Sequence, residues 1–169
     1  HIDERIIIED IINNSKSPTL HTSFISCLLT DYYLLFFSGY NQNEVTDNIP
    51  VFTPFQTPNL AASLLQHGFS FKGYSEDLPA AGSTVFFSGS YYRKHAPWVN
   101  WQGTGPNQIP DTLSQPFSAF PTDFTTLPDV SFVIPNQDND MHNGVDPARI
   151  TQCDNWVRDH LGAYVRWAQ

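Results

Sequence analysis

An apolar run that ends in a polar loop constrains the fold of this chain more than any other stretch. The run Val130–Ile134 is followed by Pro135, and then by Asp138, Asp140 and His142. Short runs of β-branched and aromatic residues favour a buried strand, and proline cannot continue the hydrogen-bond ladder of a sheet. Side chains two residues apart in an extended segment point to the same side, so we expect the three polar groups to converge.

Helix and strand signals alternate along the chain. A helix is predicted near 58–67, with Thr57 as its N-cap and Gly68 as its stop, and a strand follows at 69–74. Apolar residues at three-to-four spacing predict a long final helix over 147–167. This alternation is typical of an α/β fold with a mainly parallel sheet.

The two predicted strands, 69–74 and 130–134, are expected to be adjacent and parallel, because crossover connections join parallel neighbours. The rest of the chain carries weaker signals. Residues 6–8 suggest a strand, 20–29 suggest one or two helical turns, and 80–120 are dominated by loop.

Length and charge narrow the class of protein. A chain of 169 residues fits one domain, 1–169, with a sizeable core. Its net charge of −9 argues against nucleic acid or an anionic membrane surface as partner, and it permits a cation site. No apolar run approaches the roughly 20 residues of a membrane span.

The ends and the cysteines leave alternatives open. The chain begins at His1 without a signal peptide, so we expect a processed or incomplete chain. Its 13 prolines and 8 basic residues favour a secreted or periplasmic protein. Cys27 and Cys153 are compatible with one disulfide or with two buried thiols.

Acidic and imidazole groups mark one candidate site. Asp138, Asp140 and His142 carry donors suited to a divalent metal, or to holding a phosphate beside one, although such residues also form solvated turns. Glu76 and Asp77 follow a predicted strand end, where an acid–base group or a simple turn is equally expected.

Basic and aromatic residues mark a second candidate segment. Arg93, Lys94 and His95 form a grip for phosphate or a surface ion-pairing segment. Trp98 and Trp101 either stack on a sugar ring, as in a carbohydrate-binding module, or pack a loop onto the core.

Four segments, 73–79, 91–99, 116–144 and 153–168, together resemble the phosphoesterase family of acid phosphatases and bacterial phospholipases C. The resemblance is weaker over the first fifty residues. It implies a three-layer α/β sandwich similar to alkaline phosphatase, with a mainly parallel central sheet. It also implies hydrolysis of small phosphate esters by a Ser or Thr nucleophile with the help of a divalent metal.

The family motifs assign roles to individual residues by resemblance. Asp140 and His142 fall on its Asn-Asp-Met-His motif, and Lys94 and His95 fall on its Arg-Lys-His motif. The resemblance therefore implies a catalytic role for Lys94, His95 and His142. The remaining implied roles are substrate binding for Arg93 and Glu76, and metal binding for Glu4 and Asp140.

Several departures from the family pattern bear on activity. Glu4-Arg5 stands where the family has Glu-Asn, and the nucleophile segment that should follow Tyr33 is missing. The nearest hydroxyl, Ser38, matches a Ser-Gly pair beyond that segment. The chain also stops before the last family ligands, so we expect a truncated domain and, if it is complete as written, weak metal binding or none.

Two hypotheses about function follow from these departures. The chain is either a phosphoric-ester hydrolase, in partial form, or a non-catalytic phosphatase-like domain that serves as a structural or self-assembling protein. A sheet without its last strand would expose apolar surface, which predicts a homo-oligomer or larger assembly. The expected contacts are the aromatic run 32–37 or the final helix.

Overall fold

A parallel β-sheet forms the centre of the protein in the computed structural model, which describes residues 22–24, 30–44 and 46–169. The strands are β1 (Thr22–Phe24), β2 (Phe71–Ser75), β3 (Phe87–Ser88), β4 (Tyr91–Tyr92), β5 (Ser114–Pro116) and β6 (Val130–Ile134). Four of them form the sheet in the order β1–β6–β2–β5, and β3 and β4 form a separate antiparallel hairpin. The α-helices are α1 (Thr30–Ser38), α2 (Leu60–Gln66) and α3 (Ala148–Ala168).

Strand β6 is buried along its whole length, as its continuous apolar sequence predicts. It pairs in parallel with β2, from Phe71 opposite Val130 to Ser75 opposite Ile134, and with β1 on its other side. The predicted strand at 130–134 is confirmed residue for residue, and its predicted parallel neighbour is confirmed as β2.

The two faces of the sheet pack against different helices. Phe71 and Phe132 face a core that contains residues of α1, α2 and the 3₁₀ segment Pro97–Trp101. Val133, the next residue of β6, faces a second core formed with α3. The alternation of side chains along β6 thus produces a three-layer α/β sandwich, as predicted.

Close packing between Gly73 and Trp98 joins the middle segment to the sheet. A Cβ atom on Gly73 would lie 2.1 Å from Cε2 of Trp98, which no side chain tolerates. Trp98 and Trp101 are both fully buried, and their indole N–H groups donate to Ser114 Oγ and to the Thr57 carbonyl. Neither ring presents a face to solvent, so the interpretation as sugar-stacking residues is wrong.

The two long predicted helices exist, but one of the predicted caps is wrong. Helix α3 confirms the helix predicted over 147–167, and Gly68 ends α2 with a positive φ of 81°. The N-cap of α2 is Asn59, whose side chain accepts from the Ala62 N–H at 2.9 Å. Thr57 instead donates its hydroxyl to Gln42.

Two short strands lie where the sequence predicted helical turns or loop. Residues 22–24 form β1, where one or two helical turns were predicted, and β5 lies inside the segment predicted as loop. Each has three residues, too few to show a periodic pattern, and each is fixed by pairing with a longer neighbour. The suggested strand at 6–8 lies outside the described residues, as does Cys27, whereas Cys153 is a free, buried thiol.

The aromatic run 32–37, predicted as an assembly contact, belongs in part to the core of its own chain. Tyr33, Leu34 and Phe37 are buried, and Leu35 and Phe36 are left exposed. Oligomer formation therefore stays a prediction. In the part of the chain that the structure describes, no helix is long and apolar enough to cross a membrane.

Candidate functional site

The candidate site lies beyond the carboxyl end of β6, where open parallel sheets generally place their ligands. The loop after β6 carries Asp140 and His142, and the 3₁₀ turn Arg93–His95 after β4 approaches it from the middle segment. Helix α1 adds Tyr33 from its first two turns. Three separate stretches of chain thus meet at one place.

Asp140 and His95 form the buried centre of the site. Oδ2 of Asp140 lies 2.8 Å from Nδ1 of His95, and the two side chains are only 1% and 5% exposed. The other carboxylate oxygen, Oδ1, accepts a hydrogen bond of 2.8 Å from the backbone N–H of His142. One carboxylate therefore positions both the imidazole of His95 and the chain at His142.

Aromatic contacts fix the plane of the His95 ring. The ring of Tyr33 stacks on it with centroids 5.2 Å apart, and the ring of His142 lies 5.5 Å away on a tilted plane. With Asp140 at Nδ1, the orientation of His95 is set by three side chains. We refer to Lys94, His95, Asp140 and His142 as the site cluster.

Lys94 brings a buried positive charge to the site cluster. Its Nζ lies 2.6 Å from Oδ2 of Asp47, and the lysine side chain is about one-tenth exposed. Asp47 is partly exposed and comes from a segment 47 residues earlier in the chain. This pair holds the ammonium group in place at the edge of the cluster.

The environment of His142 disfavours its charged form. Partial burial lowers the pKa of His142 below its ordinary value, and the positive charges of Lys94 and His95 lower it further. Asp140 and Asp47 act in the opposite direction but do not outweigh these effects. The imidazole of His142 is thus neutral at pH 7, able to accept a proton or a metal.

Asp138 does not join the cluster, because the loop turns back instead of remaining extended. Backbone N–H groups of Asp138 and Asn139 both donate to Oδ1 of Asn136, and the chain reaches Met141 with a positive φ of 70°. Asp138 accepts from Ser90 and Asn143 at 2.5 and 2.8 Å, and these bonds lower its pKa. The predicted convergence of three ligand groups is therefore wrong for Asp138.

Glu76 holds the loop to the rest of the fold. Its carboxylate accepts from the Asn136 backbone N–H, from the Asn139 side-chain amide and from the Trp156 indole N–H, at 2.9 to 3.1 Å. Asp77, next to it, accepts from the Asn136 side-chain amide at 2.7 Å. The structure therefore places Glu76 as a bridge between β2, the loop and α3.

Arg93, which the resemblance assigns to substrate binding, is held by contacts with two loop segments. Its guanidinium donates to the backbone carbonyls of Thr84 and Pro50, and it lies 4.6 Å from the centroid of the Phe86 ring. The side chain is buried, with 4% exposure. These contacts show that Arg93 joins two loop segments, and that the basic run is not a solvated surface segment.

The donor groups test whether the described residues fit a divalent metal. Asp140 and His142 have suitable donor types, but no three His, Cys, Asp or Glu side chains converge on one point within residues 22–24, 30–44 and 46–169. Glu4 lies outside the described residues.

The hydroxyl nearest to the missing nucleophile segment, Ser38, lies at the far end of α1. It donates to the carbonyls of Leu34 and Tyr40.

The sequence did not reveal three of the residues that build this site. Asp47 stands in a loop without a pattern, and Tyr33 stands inside an aromatic run that reads as core. Asn136 had a usable signal, since an Asn directly after Pro135 is typical of a side-chain-capped turn. This signal favours the turn, which was one of the two alternatives that the sequence left open for this loop.

The site cluster has the chemistry of an anion site with an acid–base group. A buried ammonium and two imidazoles offer hydrogen bonds to the oxygens of a phosphate. The carboxylate of Asp140 orients one imidazole, as carboxylates do for histidines in many hydrolases. The arrangement suits binding and protonation of a phosphate ester.

Comparisons with known proteins point to the same chemistry. The model of the phosphoesterase family matches residues 21–169. A phosphatidylinositol-3-phosphatase of Mycobacterium tuberculosis (strain ATCC 25618 / H37Rv) is 49% identical over 139 residues, which cover 81% of this chain. The match spans 43% of that relative, so the chain corresponds to about two-fifths of its length. No solved structure matches the chain.

Proposed function

The chain belongs to the phosphoesterase family, and from this premise we propose that it hydrolyses phosphoric esters at the site cluster. The observation that carries the proposal is the buried contact of 2.8 Å between His95 and Asp140, next to a buried lysine. An oriented imidazole beside a fixed cation is costly to bury, and a phosphate-ester substrate gives both groups a use.

Each member of the site cluster has a distinct role in this proposal. Lys94 contacts a phosphate oxygen and offsets charge that develops on it in the transition state. His95, held by Asp140, donates a hydrogen bond to the phosphoryl group or a proton to the leaving oxygen. His142, neutral at pH 7, accepts a proton or holds a metal.

Assistance by a divalent metal is a further part of the proposal. It is supported by the family resemblance and by the donor types of Asp140 and His142, and a bound metal would polarise a phosphoryl oxygen. Since the described residues do not supply a converging set of three donors, we derive no step through it. Loss of activity after chelation, restored by zinc, magnesium or calcium, would support this part.

The substrate class follows from the relative named above. The name of that relative specifies a phosphate on an inositol lipid, so we propose a phosphorylated inositol lipid as substrate, alongside simple phosphate monoesters. Activity in the acidic pH range and a secreted or periplasmic location belong to the same proposal, on the resemblance alone.

Release of inorganic phosphate from a soluble monoester by the purified chain tests the proposal. We expect His95→Asn to reduce the rate at least about a hundredfold, as loss of a general acid–base group does. His67→Asn serves as the matched control, since His67 is exposed at the end of α2. A folded wild-type chain that releases no phosphate with any of the three metals, at acidic or neutral pH, would favour the non-catalytic alternative.

A further inference from the structure

We propose that an exposed apolar rim beside the site cluster inserts into a lipid surface and seats the hydrophobic part of the substrate. This inference rests on the proposed function, because it concerns how a lipid-borne phosphate ester reaches that cluster. The rim consists of Val51, Phe52, Val85, Phe86 and Phe87.

The side chains of the rim are exposed to a degree that packing alone does not explain. Phe52 is 88% exposed, Phe87 is 66% exposed and Val51 is 60% exposed. Large apolar side chains that are exposed singly are ordinary, whereas a contiguous group of them marks an interaction surface. The rim is such a group, because its members come from two neighbouring segments.

One buried side chain holds these two segments side by side. The guanidinium of Arg93 donates to the Pro50 carbonyl, directly before Val51, and to the Thr84 carbonyl, directly before Val85. The backbone N–H of Arg93 also donates to the Phe86 carbonyl at 3.0 Å. Both halves of the rim are thus attached to the residue that precedes Lys94 in the chain.

Two further contacts connect the segments that carry the rim to Lys94 and to the loop after β6. Asp47, three residues before Pro50, binds Nζ of Lys94 at 2.6 Å. The turn of the β3–β4 hairpin, which carries Phe87, donates from Ser90 Oγ to Asp138 in the loop after β6, at 2.5 Å. The rim therefore lies on segments that are bonded to Lys94 and to the loop that carries Asp140 and His142.

This juxtaposition matches the chemistry of an amphiphilic phosphate ester. Such a substrate offers a charged phosphate to Lys94 and His95, and it stands in a layer of acyl chains that can receive the phenylalanine side chains. Attraction to an anionic surface is not the driving force, because the net charge of the chain is −9. The rim therefore binds through apolar contact, which salt does not screen.

Co-sedimentation with zwitterionic phosphatidylcholine vesicles tests the rim without requiring catalysis. We expect the wild-type chain to bind, and the double variant Phe52→Ser, Phe87→Ser to bind roughly tenfold more weakly for each phenylalanine removed. The matched control is Val165→Ser, an exposed apolar position on α3. Raising the salt from about 0.1 M to about 0.5 M should leave wild-type binding unchanged, because only electrostatic attraction is screened.

Three outcomes would overturn the inference. They are absence of wild-type binding, equal binding by the double variant, and loss of binding at the higher salt concentration. Sedimentation velocity adds a fourth: a wild-type dimer that the double variant converts to monomer would assign the rim to a second copy of the chain.

Rates on two substrates separate failure of this inference from failure of the proposed function. We expect the double variant to lower the ratio of hydrolysis of a vesicle-held, long-chain phosphoinositide to hydrolysis of its soluble short-chain form. An unchanged ratio would contradict the rim as a lipid contact. A wild-type chain that hydrolyses neither form would contradict the proposed function, while the vesicle binding measurement would still decide the role of the rim.

Discussion

Asp140 reaches His95 across the site cluster, with Oδ2 and Nδ1 only 2.8 Å apart and both side chains almost removed from solvent. A carboxylate in this position fixes the orientation of the ring. Its other oxygen anchors the backbone of His142. Asp140 therefore links both histidines of the site cluster.

Replacing Asp140 should therefore lower activity far more than replacing Asp138, two residues earlier in the chain. We expect Asp140→Asn to lower kcat by about a hundredfold or more, because a misoriented imidazole loses its acid–base function. Asp138→Asn is the matched control, since Asp138 faces Ser90 and Asn143. Steady-state kinetics on a soluble phosphate monoester measures both, and equal losses would contradict the assigned geometry.

Titration of His142 should respond to the charges around it. Lys94→Met removes a positive charge and should raise the pKa of His142, and Asp47→Asn removes a negative one and should lower it. NMR titration of the metal-free chain measures both shifts. Asp111→Asn, which removes an exposed acid elsewhere, is the control. A pKa of His142 that is the same in both variants as in the wild type would contradict the proposed arrangement of the cluster.

The lowered pKa of His142 also predicts how stability depends on pH. The unfolded chain binds more protons than the folded one between the lowered pKa and the ordinary value of about 6.5. The free energy of unfolding should therefore decrease as pH falls through that window, and the contribution is absent above it. Urea unfolding at several pH values, compared with His142→Gln, isolates this contribution, since the variant should lack it.

Because Gly73 contacts Trp98 closely, a single added methyl group at Gly73 should strongly lower the free energy of unfolding. Gly73→Ala would place Cβ 2.1 Å from the indole, and overpacking of this kind typically costs about 1–3 kcal/mol. Gly162→Ala is the control, because its Cβ would meet only the flexible end of Arg166 and a helical glycine gains about 1 kcal/mol on this change. Chemical unfolding should show opposite signs for the two variants.

Glu76 should act on activity through the loop after β6. Glu76→Ala removes the acceptor for Asn136, Asn139 and Trp156, and unpaired buried donors cost about 1–3 kcal/mol. We expect faster amide hydrogen exchange over 136–142 and a lower kcat. Asp77→Gly, which loses a single contact with Asn136 and keeps the positive φ of 60° without strain, should have a smaller effect. Unchanged exchange in Glu76→Ala would contradict the bridge.

Patterns within one segment were enough to predict the framework of this protein. The apolar run of β6, the glycine that ends α2 and the three-to-four spacing of α3 each depend on neighbours in the chain, so local sterics and periodicity determine them. The parallel pairing of β2 and β6 followed because crossover connections have few alternatives. Motif resemblance singled out Lys94, His95, Asp140 and His142, which lie together in the folded chain.

Contacts between distant segments determined how those residues are arranged. Asp47 meets Lys94 across 47 residues, and Glu76 meets Trp156 across 80, distances over which sequence carries no periodic signal. The loop after β6 turned back because Asn136 supplied local hydrogen bonds that an extended chain would have lacked. Only the folded chain, by bringing these groups together and excluding water from them, separated Asp140 from Asp138 and lowered the pKa of His142.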